Sequence, residues 1–237
     1  MRPPLFTGIL RRVGASALLA LVAGCAVFGR IGPSLSEDMD GHHTQVDQIE
    51  TALVFGELEA ARASARWLAA HPDHPDLPRG ILGPTEDMRA FARTLLRSGS
   101  TEDAARCASE IAAACGRCHG AAGVKPFPAA AAPPDPGPGL VAHMERRLWA
   151  VDRMWEALIG SDDERWADGV SALDGSSPVE GETPDSRAVP LALRLRELAA
   201  EAPGTVSERR AEVYGRVLST CAGCHALRGN RLRAPRR

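Results

Sequence analysis

Residues 221–225 read CAGCH, a Cys-x-x-Cys-His motif, and only twelve residues follow it before the chain ends. Residues 115–119, CGRCH, repeat the motif 106 positions earlier. Twelve residues are too few to bury a hydrophobic core of their own. The structure around the second motif must therefore come from residues that precede it, so this motif closes its domain instead of opening it.

A second pair of similar stretches indicates that the chain contains a tandem duplication. Residues 46–53 read VDQIETAL and residues 151–158 read VDRMWEAL, an offset of 105 positions. Nearly the same offset relates the two CxxCH motifs, and also relates Gly123 to Gly229. A near-constant offset across a whole half of the chain is typical of a repeated structural unit. Between the halves lies the proline-rich stretch 124–139, which predicts an extended linker.

Composition and periodicity predict an all-α fold. The 237-residue chain is rich in alanine and has only 4% aromatic residues, a composition that favours helix over sheet. Each half is predicted to form about four helices, with CxxCH on the last of them. The predicted helices are 37–55, 57–70, 85–98 and 101–120 in the first domain (37–123), and 140–160, 162–174, 185–201 and 205–227 in the second (140–229). A basic tail follows at 230–237.

The N-terminus has the pattern of an export signal. Arginines precede an apolar run that is interrupted by glycine and is short for a membrane span. The run contains LVAGC at residues 21–25, which resembles the lipobox of bacterial lipoproteins. The resemblance implies a signal peptide over 1–24, lipid attachment at Cys25 and a tether over 25–36. An ordinary cleaved signal peptide and an uncleaved anchor are the alternatives.

The lipobox resemblance also implies a location. We expect the body of the protein on the periplasmic side of a bacterial membrane, held there by its lipid anchor. Ala26, where a sorting aspartate could stand, favours the outer membrane over the inner.

Cys-x-x-Cys-His is the attachment signature of c-type haem. Two thiols on one helical turn can each bond to a vinyl group along one porphyrin edge, and the adjacent histidine can bind the iron. A zinc site made of four cysteines and a redox-active cysteine pair are the alternatives, but neither needs a histidine directly after both pairs. The sequence therefore predicts two covalently attached haem c groups. The predicted binding residues are Cys115, Cys118, His119, Cys221, Cys224 and His225.

A CxxCH motif on the closing helix of a four-helix bundle resembles the class II cytochromes c, the cytochrome c-prime-like family. The resemblance covers both halves, and the haem motif is its only specific residue pattern. In low-spin members of the family a methionine on the first helix also binds the iron, whereas high-spin members leave that position open. Met39 and Met144 match across the repeat, so they are the predicted iron ligands opposite His119 and His225. The rival ligands are His42, His43 and His143.

Three other residues with metal-binding side chains are predicted to have structural roles. His71 and His74 fall in the middle loop of the first half and are predicted to be exposed there. Cys107 aligns with Val213 on the apolar face of the last helix, which predicts a buried core position.

The predicted function is electron transfer by a lipid-anchored dihaem cytochrome that exchanges electrons with extracytoplasmic redox partner proteins and is not an enzyme. The sequence has no carboxylate pair, nucleophile constellation or phosphate loop that favours another chemistry. A net charge of -2 gives no indication of a nucleic-acid partner, and the family resemblance allows a homo-oligomer. The alternatives are a haem-based gas-binding or sensor protein with an open iron site, a dihaem peroxidase and a zinc-stabilised helical module.

Overall fold

A computed structural model describes residues 33–135, 137–174 and 186–227. Within these ranges the chain forms eight α-helices and no β-strand, which confirms the predicted all-α class. The signal peptide, Cys25 and the basic tail lie outside the described residues. The helices are α1 (Leu35–Val54), α2 (Leu58–Ala70), α3 (Leu82–Leu96), α4 (Thr101–Ala122), α5 (Leu140–Gly160), α6 (Asp163–Asp174), α7 (Val189–Glu201) and α8 (Arg210–Leu227).

The largest difference from the predicted helix ends is at the start of α8. That helix begins at Arg210 and not at residue 205, because a short 3-10 turn (Ser207–Arg209) precedes it. Residues 124–135, in the proline-rich stretch, contain no helix.

Local capping fixes the ends of the helices that carry the candidate site. Ser34 and Glu37 form a reciprocal capping box at the start of α1. Ser100 caps α4 by accepting a hydrogen bond from the backbone of Asp103. Gly123 ends α4 in the left-handed conformation, with φ of 68°, where glycine has no Cβ penalty. The first CxxCH motif therefore occupies the last two turns of a helix with defined ends.

The two halves of the chain pack together through their closing helices. Consecutive helices contact each other within each half, but α4 also packs on α5 and α8, and α1 packs on α8. At the crossing of α4 and α8, Gly215 faces Ser109, and these two positions are related by the 106-residue repeat. Equivalent residues that meet each other are the mark of a two-fold relationship. An approximate two-fold axis therefore passes between α4 and α8.

Buried polar contacts join the first helix of one half to the second half. The Trp155 indole donates a hydrogen bond to Asp47 Oδ1 at 3.3 Å, and the Tyr214 hydroxyl donates to Glu50 Oε1 at 2.5 Å. The rings of Trp155 and Tyr214 stack with centroids 5.4 Å apart, and both side chains are almost fully buried. Because these contacts satisfy polar groups in the shared interior, they fix how the halves sit against each other.

Candidate functional site

Both CxxCH motifs lie near the C-terminal ends of their helices. Cys115 and Cys118 are one helical turn apart on α4, and Cys221 and Cys224 have the same spacing on α8. The structure places all four cysteines at partly exposed positions, and they are free thiols. The two thiols of each motif therefore lie one helical turn apart at half-buried positions.

The histidine of each motif makes a hydrogen bond to the other half of the chain. His119 Nδ1 lies 2.9 Å from the carbonyl oxygen of Ile159, and His225 Nδ1 lies 2.7 Å from that of Val54. Val54 and Ile159 are 105 residues apart, so the two bonds are equivalent under the repeat. Both carbonyls belong to the last turn of their helix, where the helix itself supplies no partner.

These bonds determine which histidine nitrogen carries the proton. A carbonyl oxygen only accepts, so Nδ1 of each ring must be the donor. In the neutral imidazole Nε2 is then the nitrogen with the lone pair, and the bond also holds the ring in one orientation. Metal-binding histidines typically bind the metal through one ring nitrogen and donate a hydrogen bond to a backbone carbonyl through the other.

A cavity of about 660 Å³, partly open to solvent, lies beside the first motif. Its wall contains Met39 from α1 together with Cys115, Cys118 and His119 from α4. The structure thus brings together all four residues that the sequence predicted for the first site.

The middle loop of the first half forms one wall of this cavity, together with the start of α3. His74 and Leu77 line it, and the His74 side chain is only 8% exposed, with Nε2 donating to the carbonyl of Pro33 at 3.0 Å. His71 is partly buried as well and hydrogen-bonds Asp38. The prediction that His71 and His74 are exposed is therefore wrong. The loop folds back on the start of α1, a long-range contact that local polarity did not reveal.

Two of the rival ligands, His42 and His43, also line the cavity. His42 Nδ1 donates to the carbonyl oxygen of Asp38 at 2.9 Å, which leaves Nε2 unprotonated in the neutral ring. Burial lowers the pKa of His42, and the nearby carboxylate of Asp38 only partly opposes this. His42 is therefore a neutral residue of the cavity wall at neutral pH.

The surroundings of the second motif differ from those of the first. The Phe55 ring stacks on His225 with centroids 5.1 Å apart, and Leu191 packs near Gly223. Arg147, the repeat equivalent of His42, interacts with Cys221 and Cys224. Burial lowers the pKa of this guanidinium, although the two thiols act in the opposite direction.

Met144 lies three residues before Arg147 on α5 and is partly exposed, so it is less enclosed than a core residue. Met144, Leu148, Val151, Trp155 and Leu158 recur at helical spacing along α5, and this apolar stripe is buried only in its second part, at the last three of these residues. Around Met144 the surface stays apolar and open, with Val141 72% and Leu148 40% exposed. His143, the third rival, is likewise only partly buried on this helix.

Burial controls the chemistry of the cysteines. It raises the pKa of Cys115 to about 12 and that of Cys221 to about 12, so both thiols are protonated at neutral pH. Cys107 is buried at the position that its alignment with Val213 predicted, and burial raises the pKa of its thiol too. Cys107 is therefore a core residue and not a member of the site.

No protein-family model, no curated protein and no solved structure matches this chain. Among the described residues, no helix combines the length and the apolar character needed to cross a membrane.

Proposed function

We propose that this protein is an extracytoplasmic c-type cytochrome that holds one haem c at each CxxCH motif and transfers electrons. The observation that carries the proposal is the exchanged pair of hydrogen bonds, from His119 to Ile159 and from His225 to Val54. In both histidines the bond from Nδ1 leaves the lone pair of the neutral ring on Nε2, the nitrogen that would bind a metal. A zinc site made of four cysteines, or a redox cysteine pair, would not account for two histidines held alike.

The residues around the first motif fit a haem group. Cys115 and Cys118 would each form a thioether, while His119 Nε2 would bind the iron from one side. When bound, the haem supplies an iron that alternates between the ferric and ferrous states. The chain's own contribution is to hold the histidine ring, exclude water with the cavity wall and keep the group from dissociating.

Met39 is the proposed second iron ligand at the first site, because it lines the cavity that contains His119. Met144 is the proposed ligand at the second site because it is the repeat equivalent of Met39. A thioether favours ferrous iron and would raise the reduction potential relative to two histidines. With both axial positions filled, a haem iron exchanges electrons but does not readily take up a small molecule.

The second site has a cation that the first lacks at the same position. Arg147 lies beside Cys221 and Cys224, where the repeat places His42 at the first site. A guanidinium there can pair with a haem propionate through charge-assisted hydrogen bonds. The two sites are therefore proposed to be equivalent in their histidine bonds and different in their outer charges.

The remaining parts of the proposal concern organisation and location. Residues 37–123 and 140–229 would form two tandem four-helix units joined by the linker 124–139, as in the class II cytochromes c. Residues 1–24 would be a lipoprotein signal peptide, and Cys25 would carry lipid that anchors the protein on the periplasmic side of a bacterial membrane. Its partners would be redox proteins outside the cytoplasm.

One observation favours a second candidate function. Met144 is half-buried like Met39, but its neighbours Val141 and Leu148 on α5 are exposed, so the second iron would keep an open axial position if Met144 does not bind it. The protein would then bind a diatomic gas at that site, as a sensor or a gas carrier, while the first site stayed closed.

The proposal is tested on protein matured in a host that attaches haem c. We expect mass spectrometry and a pyridine haemochrome assay to give two covalent haems per chain, and the absorption spectrum to be low-spin with little carbon monoxide binding. Met39→Leu and Met144→Leu should each open one site, so that each variant binds one carbon monoxide per chain. Met88→Leu is the matched control, because Met88 lines the same cavity as Met39 from α3.

The outcomes separate the candidates. A chain that carries no haem adduct contradicts the cytochrome proposal as a whole. A wild-type protein that binds one carbon monoxide, with no increase in Met144→Leu, would instead support the gas-binding candidate. Equal effects of Met39→Leu and Met88→Leu would show that Met39 only packs against the group.

A further inference from the structure

A cluster of three potential metal ligands lies where the middle loop meets α1. The structure assigns to Asp38, His42 and His71 a second kind of metal site, for a single zinc-like divalent transition-metal ion. One ligand atom from each of the three side chains lies within 4.8 Å of the other two. The three residues of this site are different from the proposed haem ligands, although His42 also lines the cavity beside the first CxxCH motif.

The distances within the cluster suit such an ion. His71 Nε2 lies 2.7 Å from Asp38 Oδ1, and His42 Nδ1 lies 3.7 Å from Asp38 Oδ2. Zinc bonds of about 2.0–2.2 Å in a tetrahedron place neighbouring ligand atoms roughly 3.4 Å apart. His71 Nε2 and Asp38 Oδ1 would therefore have to separate by about 0.7 Å, and His42 Nδ1 and Asp38 Oδ2 to approach by about 0.3 Å. An ion bound to His42 Nδ1 would replace the proton that this nitrogen shares with the carbonyl of Asp38.

An unsatisfied oxygen points to a missing ligand in the cluster. The Asp38 side chain is only 5% exposed, yet its Oδ2 has no hydrogen-bond partner among the described residues. Burying a carboxylate oxygen without a hydrogen-bond partner costs free energy, because the oxygen loses its hydrogen bonds to water and no protein group replaces them. A metal ion between Asp38 and the two histidines would satisfy this oxygen and neutralise the carboxylate.

Surrounding contacts hold the two imidazole rings in place. The Trp67 ring stacks on His71 with centroids 4.0 Å apart and meets His42 edge-on at 5.2 Å. Arg89 Nε donates to the backbone carbonyl of His71 at 2.9 Å, which fixes the first residue after α2. Outer contacts of this kind orient metal ligands and raise affinity.

The set of ligands belongs to the first half alone. The repeat places Arg147 at the position of His42 and His143 at the position of Asp38, so the equivalent region of the second half cannot form the same site. Two histidines and one carboxylate give three protein ligands, which leaves a fourth position for water or a small anion. We therefore expect one such ion per chain.

The test uses the full mature chain without a histidine tag, after treatment with EDTA and dialysis. Isothermal titration and equilibrium dialysis with Zn²⁺ should show one tight site per chain, and Zn²⁺ should raise the thermal unfolding temperature of the wild type. Asp38→Asn and His71→Gln should each weaken binding by at least about 100-fold. His74→Gln and His143→Gln are matched controls, because each removes a histidine outside the cluster and should leave Zn²⁺ binding unchanged.

Two results would overturn the assignment. The first is the absence of a stoichiometric Zn²⁺ site in the wild type, which needs no variant and so does not depend on how the variants fold. The second is a wild-type Zn²⁺ site whose affinity is unchanged in both Asp38→Asn and His71→Gln, since the ion would then bind elsewhere. Neither result bears on whether the CxxCH motifs carry haem, so failure here is distinct from failure of the proposed function.

Discussion

Substitution of Gly116 is the most direct test of the contact between the halves that includes the hydrogen bond from His119 to Ile159. This residue lies inside the first CxxCH motif, where α4 meets the end of α5. A Cβ at position 116 would lie much closer to the backbone oxygen of Leu158 than 3.0 Å, a distance below which real Cβ contacts are essentially never found. It would also lie 2.9 Å from Ser161 Oγ. The backbone oxygen cannot rotate away, so Gly116→Ala must push α4 off α5 and stretch the bond from His119 to Ile159.

The expected loss of stability follows from three contributions. Overpacking against backbone should cost about 3 kcal/mol, the upper end of its usual range. Losing the buried hydrogen bond costs about 1 kcal/mol more, whereas replacing glycine by alanine inside a helix returns about 1 kcal/mol. We therefore expect Gly116→Ala to lower the free energy of unfolding by about 3 kcal/mol, measured by urea denaturation followed by far-UV circular dichroism.

Gly120→Ala is the control for this experiment. It lies one turn later on the same helix face, and its Cβ would be 3.8 Å from Ser161 Oγ, an ordinary van der Waals distance. This variant should match the wild type or exceed it slightly. If Gly116→Ala were as stable as Gly120→Ala, α4 would not approach α5 this closely, and the reasoning about the exchanged histidine bonds would be refuted.

Two further predictions concern buried or half-buried ionisable side chains. Burial, and then the negative charge of Asp152, raise the pKa of Glu50 well above its usual range, so folded Glu50 keeps a proton that the unfolded chain releases above its ordinary pKa. The free energy of unfolding of the wild type should therefore fall as the pH rises from about 5 to 8, and Glu50→Gln should remove this dependence. Urea titrations at several pH values measure it, and an equal pH dependence in wild type and variant would contradict a protonated Glu50. Arg165 bridges Glu156 and the carbonyl of Pro128 at a nearly buried position. Arg165→Gln should cost about 2 kcal/mol in the same assay, because half-buried Glu156 loses one of its two arginine partners and keeps only Arg153. A loss below about 1 kcal/mol would argue that water replaces the guanidinium.

The sequence was sufficient for the features that depend on local pattern. Helical spacing, caps and turn residues indicated the helices, and the described residues contain a helix at every predicted position. The repeat also led to Met39, which matches Met144 and lines the same cavity as Cys115, Cys118 and His119. These inferences succeeded because a residue's place on a helix face depends mainly on its neighbours three or four positions away.

The relationship between the halves could not be read from the same signals. The contacts from His119 to Ile159 and from His225 to Val54 join positions 40 and 171 residues apart, and each uses a backbone oxygen that any residue type could offer. The roles of Asp38 and His71 were missed for the same reason, because the middle loop returns to the start of α1 only in three dimensions. One signal was available in the sequence, since glycine recurs on the closing helices at Gly116 and Gly215, where close helix approach needs it.

The exchanged histidine contacts mean that neither half contains its own complete set of partners. A fragment ending after Gly123 would keep its cysteines and histidine but lose the carbonyl of Ile159, and a fragment beginning after the linker would lose that of Val54. A lone ancestral half could recover both contacts only by pairing with a second copy of itself. The chain thus holds within one polypeptide the kind of reciprocal contact that a two-fold dimer makes between subunits, and we expect the two histidine contacts to form, and to be lost, together.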